Sequence, residues 1–123
     1  MITENRLTTY INSLAQGDGP LIETIAENAV KNRVPIIRRE TASLLKTMVT
    51  LVAPNRILEV GTAVGYSALL MASVMPKECR ITTIEKYAYE LPTIATIYKT
   101  AAAAHSCTVD HDRIHRNNRL NII

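Results

Sequence analysis

The apolar pattern of this chain changes period at residue 56, and no other feature constrains the fold as strongly. Upstream, apolar residues recur at helical spacing. Arg56-Ile57-Leu58-Glu59-Val60 is instead a short, mostly apolar run with turn signals on both sides, as expected of a strand buried on both faces. Gly61 to Gly65 reads as a loop, residues 66–75 as an apolar helix stopped by Pro76, and Arg80-Ile81-Thr82-Thr83-Ile84-Glu85 as a second strand rich in β-branched residues. Strand, glycine loop, helix and strand in that order form a right-handed parallel unit, which places the chain in the α/β class.

Three helices are expected before this unit, as a helical cap over residues 1–53. Residues 3–16 carry Leu7, Tyr10, Ile11 and Leu14 at helical spacing. Gly17-Asp18-Gly19 breaks the first helix, and Pro20 stands where a first turn tolerates it. Leu21, Ile22, Ile25, Ala26, Ala29 and Val30 then form the next stripe. Pro35 pushes Val34 out of the helical region, so Val34-Pro35-Ile36-Ile37 reads as extended. A third helix over residues 39–52 is expected to bury Leu44, Leu45, Met48, Val49 and Val52 before Pro54. The parallel unit is expected over residues 54–104, with a further helix at 91–104, and residues 105–123 show no sustained period.

At 123 residues the chain suits one domain and not two. Folding at that size removes roughly two-thirds of the unfolded surface from water, so no disulfide framework is required. Cys79 and Cys107 accordingly suit a reducing cytoplasmic setting. A hydrophobic content of 47% excludes low-complexity disorder. No run approaches the ~18–20 apolar residues of a membrane span, so no membrane partner is expected. The formal net charge of +3 mildly favours a polyanionic partner.

Chemistry concentrates in Glu59-Val60-Gly61-Thr62-Ala63-Val64-Gly65-Tyr66-Ser67. Gly61 follows a strand at once, where the chain turns sharply and a side chain would obstruct a ligand. Gly65 opens a helix whose N–H groups attract electron-rich ligand atoms. Glu85 ends the second strand, at the carboxyl edge of a parallel sheet, where ligands bind. A carboxylate there can accept two hydrogen bonds from a ribose diol. Ala63 occupies the place of the second glycine in the dinucleotide pattern Gly-x-Gly-x-x-Gly, which disfavours close approach of a pyrophosphate. A phosphate-free nucleoside such as S-adenosylmethionine fits better than NAD.

The run E-V-G-T-A-V-G-Y-S is similar to the first motif of the small cation-dependent O-methyltransferases, which include the catechol and caffeoyl-CoA methyltransferases. It is especially similar to the bacterial branch that includes the tRNA 5-hydroxyuridine methyltransferases. The resemblance covers residues 34–86, including V-P-I-I-R-R-E-T and I-T-T-I-E-K. It implies the front half of a Rossmann-like methyltransferase fold, entered through an N-terminal helical cap. It implies S-adenosylmethionine as cofactor, held by Glu59, Gly61, Thr62, Gly65, Tyr66, Ser67 and Glu85. Ile36, Arg38 and Arg39 would border the substrate mouth. The acceptor would be a hydroxyl, with tRNA 5-hydroxyuridine ahead of small catechols. In the family a divalent cation such as Mg acidifies that hydroxyl, but its ligands and the catalytic base lie on later strands that find no match here. No residue is therefore assigned a catalytic or metal role.

The chain thus reads as truncated relative to the family. Two parallel strands cannot cover both their faces, so the chain is expected to be loosely folded unless it is rescued as a homo-oligomer joined through strand edges. His105, Cys107, His111 and His115 crowd the tail without a zinc-finger order, and a polar tail is the expectation there. Two alternatives from other classes stand beside the methyltransferase. One is a non-catalytic nucleoside-binding or interaction fragment. The other is a dinucleotide-dependent oxidoreductase half, which Ala63 disfavours.

Overall fold

A computed structural model describes residues 4–85 and 109–113. Three helices come first: α1 (Asn5–Leu14), α2 (Pro20–Lys31) and α3 (Arg39–Val52). They are followed by β1 (Arg56–Val60), α4 (Tyr66–Ala72), β2 (Arg80–Glu85) and β3 (Val109–Arg113). Pro20 opens α2, where its missing N–H costs no helical bond. Ala53 closes α3 in the left-handed region (φ 46°), its N–H bonded to the Val49 carbonyl at 2.9 Å, and Pro54 prevents continuation.

The strands form one parallel sheet in the order β1-β2-β3. The β1–β2 register sets Ile57 beside Ile81 and Glu59 beside Thr83. Two bonds continue the ladder past the strand ends, Arg80 N–H to the Asn55 carbonyl (3.2 Å) and Gly61 N–H to the Ile84 carbonyl (2.8 Å). Strand partners in register share a face, so Ile57, Glu59, Ile81 and Thr83 all lie on one side.

That side carries the helices. Five of the seven α4 residues are buried, Tyr66 and Ala68 to Met71, as a helix apolar all round requires. Ile22, Ile25 and Ala26 of α2 and Ala42 of α3 pack with Tyr66, Ala68, Leu69 and Leu70. Val49 of α3 meets Met71 and Ile81, with Ile57 at the margin. Cys79 is buried too, and burial pushes its thiol above the usual range, so it packs as a small apolar group.

Several expectations are corrected. The strand at 56–60 is not buried on both faces: Leu58 is 54% and Val60 74% exposed. The packed helices lie against Ile57 and Ile81, so residues alternating to the other side of β1 gain no cover from them. Likewise α3 buries Val49 and half-buries Leu45, while Leu44, Met48 and Val52 are exposed. The α1 stripe of Leu7, Tyr10, Ile11 and Leu14 is exposed as well. A third strand stands at 109–113, where no period was evident. Val-Asp-His-Asp-Arg has one apolar residue in five, so its strand state rests on backbone pairing with β2. The helix expected at 91–104 lies outside the described residues.

Charged side chains join the helices. Arg39 donates to both carboxylate oxygens of Glu23, at 3.3 and 2.5 Å, tying α3 to α2, and Lys46 pairs with Asp18. The Asp18 backbone N–H, and after it the Arg39 guanidinium, hold the Glu23 carboxyl below the usual range. With Arg39 53% exposed, the pair contributes at most about 1 kcal/mol. A depressed folded pKa stabilises above the unfolded value of about 4.3, and that stabilisation is lost as pH falls through the folded value. Urea midpoints should drop between about pH 6 and about pH 3, and drop less in Glu23→Gln. An equal drop in both proteins would remove Glu23 from the acid limb.

Candidate functional site

The chain leaves β1 through three residues with positive φ among five, Gly61 (95°), Ala63 (46°) and Gly65 (78°). The Gly65 N–H closes a tight turn onto the Thr62 carbonyl at 2.7 Å, and the Gly65 carbonyl then accepts the Leu69 N–H of α4. Gly61 needs its glycine for the backbone conformation. Among the described residues a Cβ built there would meet nothing within 4 Å, so they leave open space in front of the exposed Gly61 backbone. Ala63 reaches the left-handed region despite its methyl group, a conformation that costs of order 1–3 kcal/mol and gathers at ligand-holding turns.

A hydroxyl–carboxylate chain supports the turn from beneath. Ser67 Oγ donates to Glu59 Oε1 at 2.5 Å, Thr83 Oγ1 donates to Glu59 Oε2 at 2.7 Å, and Thr62 Oγ1 lies 2.6 Å from Thr83 Oγ1. Thr62 and Thr83 are 1% and 0% exposed, whereas Glu59 and Ser67 are half-buried. One carboxylate thereby joins β1, the turn, the first turn of α4 and β2.

The structure brings most of the sequence-derived site residues together. Gly61 and Gly65 frame the turn, and Glu59, Thr62 and Ser67 are bonded within its support. The Thr62 side chain is turned fully inward. Tyr66 is buried beside α2; burial, and then the Asp18 charge, raise its phenol above the usual range, with Arg39 opposing. Glu85 is the last residue of β2. The pairing of Val60 with Ile84 puts it at the same sheet edge as Gly61.

Ile36, Arg38 and Arg39 line a groove of about 490 Å³ with Tyr66 and with Glu27, Val30 and Lys31 of α2. Arg39 carries its ion pair to Glu23 at this rim. The residue that sequence reasoning missed is Thr83. Its type marked it only as a strand former, and parallel register, which sets it beside Glu59, has no local signal. Among the described residues no group of three or more His, Cys, Asp or Glu converges as a metal site. His105, Cys107 and His115 lie outside the described residues.

A family model described as O-methyltransferase matches residues 12–115. The O-methyltransferase TomG from Streptomyces achromogenes, solved in complex with SAM, is 27% identical. Its TM-score is 0.71, over 87% of this chain and 48% of that one. A methyltransferase from Geobacter sulfurreducens shares the fold at a TM-score of 0.78 and 16% identity, covering 92% of this chain and 60% of that one. A protein-L-isoaspartate O-methyltransferase from Shewanella denitrificans is 40% identical over 50 residues, which are 41% of this chain and 21% of that protein. The chain thus spans about a fifth of the length of that relative and roughly half to three-fifths of the solved structures.

Replacing Gly61 by alanine introduces backbone strain without a clash. Gly61→Ala should lower the unfolding free energy by about 1–3 kcal/mol, read from urea melts. A melt unchanged from wild type would show that this turn relaxes to negative φ at no cost.

Proposed function

Because the chain belongs to the O-methyltransferase family, we propose that it binds S-adenosylmethionine across the carboxyl ends of β1 and β2. The methyl group then passes to an acceptor hydroxyl, foremost that of 5-hydroxyuridine in tRNA. The observation that carries this reading is the open backbone at Gly61, beside the end of the strand that carries Glu85. A ligand there meets peptide groups directly, and a carboxylate carried at a strand end can accept both hydroxyls of a ribose diol. The bound cofactor supplies a methyl group on a sulfonium centre. Gly61 and Gly65 shape the turn against it, Glu85 takes the ribose, and the half-buried Glu59 and Ser67, bonded to each other, border the turn. Thr62 and Tyr66 serve from within, by holding the turn and the start of α4.

The groove of Ile36, Arg38, Arg39 and Lys31 is the proposed acceptor mouth. Its apolar floor suits a base, and Arg38 and Lys31 supply the cations for a phosphate backbone, at a rim that also carries Glu27 and where Arg39 is paired with Glu23. The divalent cation that the family resemblance brings has no ligands assigned among the described residues, nor does the base. A cytoplasmic setting is proposed from Cys79 and Cys107, which suit reducing conditions; among the described residues no helix is long and apolar enough to cross a membrane. Self-association is proposed as well, supported by the exposed Leu58, Val60, Leu44, Met48 and Leu51.

Calorimetric titration with S-adenosylhomocysteine should show saturable binding, weakened at least about tenfold in Glu85→Ala, in keeping with the loss of hydrogen bonds to a carboxylate. A folded chain that does not bind would favour the non-catalytic interaction fragment instead. Light scattering behind size exclusion should give a mass above that of one chain, and a monomer across the concentration range would refute self-association.

A further inference from the structure

We propose that Thr83 is a positioning residue for the cofactor turn, a role resting on the assignment of the crevice to S-adenosylmethionine. Thr83 is 0% exposed and stands in register with Glu59. It therefore acts on the crevice only through its neighbours.

Proton counting gives the direction of the chain. A hydroxyl has one proton to donate, and a carboxylate can only accept. The Thr83 proton is directed to Glu59 Oε2 at 2.7 Å. In its 2.6 Å contact with Thr62, Thr83 is then the acceptor and Thr62 the donor. Ser67 reaches Glu59 Oε1 from the far side of the turn at 2.5 Å. Thr62 stands just after Gly61 and Ser67 two residues beyond Gly65, so the hydroxyls flanking the turn converge on one carboxylate. Ser67 is bonded to it directly, and Thr62 reaches it only through Thr83. The Gly65 N–H bond to the Thr62 carbonyl, 2.7 Å, transmits that anchorage to the turn. Valine would match the shape of Thr83 but leave the buried Thr62 hydroxyl without its acceptor and the half-buried Glu59 Oε2 without its donor, two losses from one substitution.

Two readouts on the whole chain test this, calorimetry with S-adenosylhomocysteine and hydrogen exchange at the Gly65 amide. Thr83→Val should weaken binding about tenfold or more and speed that exchange by a similar factor, whereas Thr83→Ser should stay within about threefold of wild type in both. Wild-type behaviour of Thr83→Val would overturn the proposal. So would a Thr83→Ser variant as impaired as Thr83→Val, since the methyl group and not the hydroxyl would then matter. If the wild-type chain binds no S-adenosylhomocysteine, the cofactor assignment fails and Gly65 exchange alone decides whether Thr83 positions the turn. Should Thr83→Val not fold, Thr62→Val removes only the first donor and should shift both readouts in the same direction. Unchanged values there would overturn the proposal equally.

Discussion

The register that sets Glu59 of β1 beside Thr83 of β2 is the constraint on which the crevice depends. A slip by one residue would bring Thr82 or Ile84 opposite Glu59 and turn the partner side chain to the other face. The carboxylate would then be left half-buried with Ser67 alone. In register it accepts from two hydroxyls, on separate elements, and a third hydroxyl stands behind them. Hydrogen bonds to a charged acceptor contribute about 1.5–3 kcal/mol each. Losing the register would therefore cost more than any surface ion pair of this molecule could offset.

The same register is held by packing on the helical side. Ile57 and Ile81, partners in the sheet, lie in one apolar cluster with Val49 of α3 and Met71 of α4. Because α4 is buried on nearly every side, its position is set by α2, α3 and the sheet together. Its first residues, Tyr66 and Ser67, are the ones that meet the groove and the carboxylate. Core packing and crevice geometry are thus two consequences of one helix placement. The Arg39–Glu23 pair adds a modest, solvent-screened tie between α2 and α3 at the groove's rim.

The sheet is covered unequally. Parallel sheets are found with helices on both faces, yet Leu58 and Val60 of β1 are exposed and the packed helices lie on the Ile57 side. The solved relatives are longer than this chain, which spans 60% of one and 48% of another. This exposed apolar strand face is the observation behind the proposed self-association. It also explains how Leu58, which reads as core in the sequence, can be exposed without contradicting its own hydrophobicity.

By itself the sequence determined the order of the elements as far as residue 85, the bounds of α3 and of both strands of the first parallel unit, and the glycine turn between them. These follow from local causes: side-chain period, proline's fixed φ, and glycine's freedom at Gly61 and Gly65. It also pointed to Glu59, Ser67 and Glu85 as candidates for the proposed crevice, because motif spacing along a strand–turn–helix is a local property. Tertiary structure alone decided which apolar residues are covered, that Val109–Arg113 pairs with β2, and that Thr83 completes the Glu59 support. Each of these depends on what another segment brings alongside. Register and burial belong to pairs of segments, and no window of one chain segment contains both members of the pair.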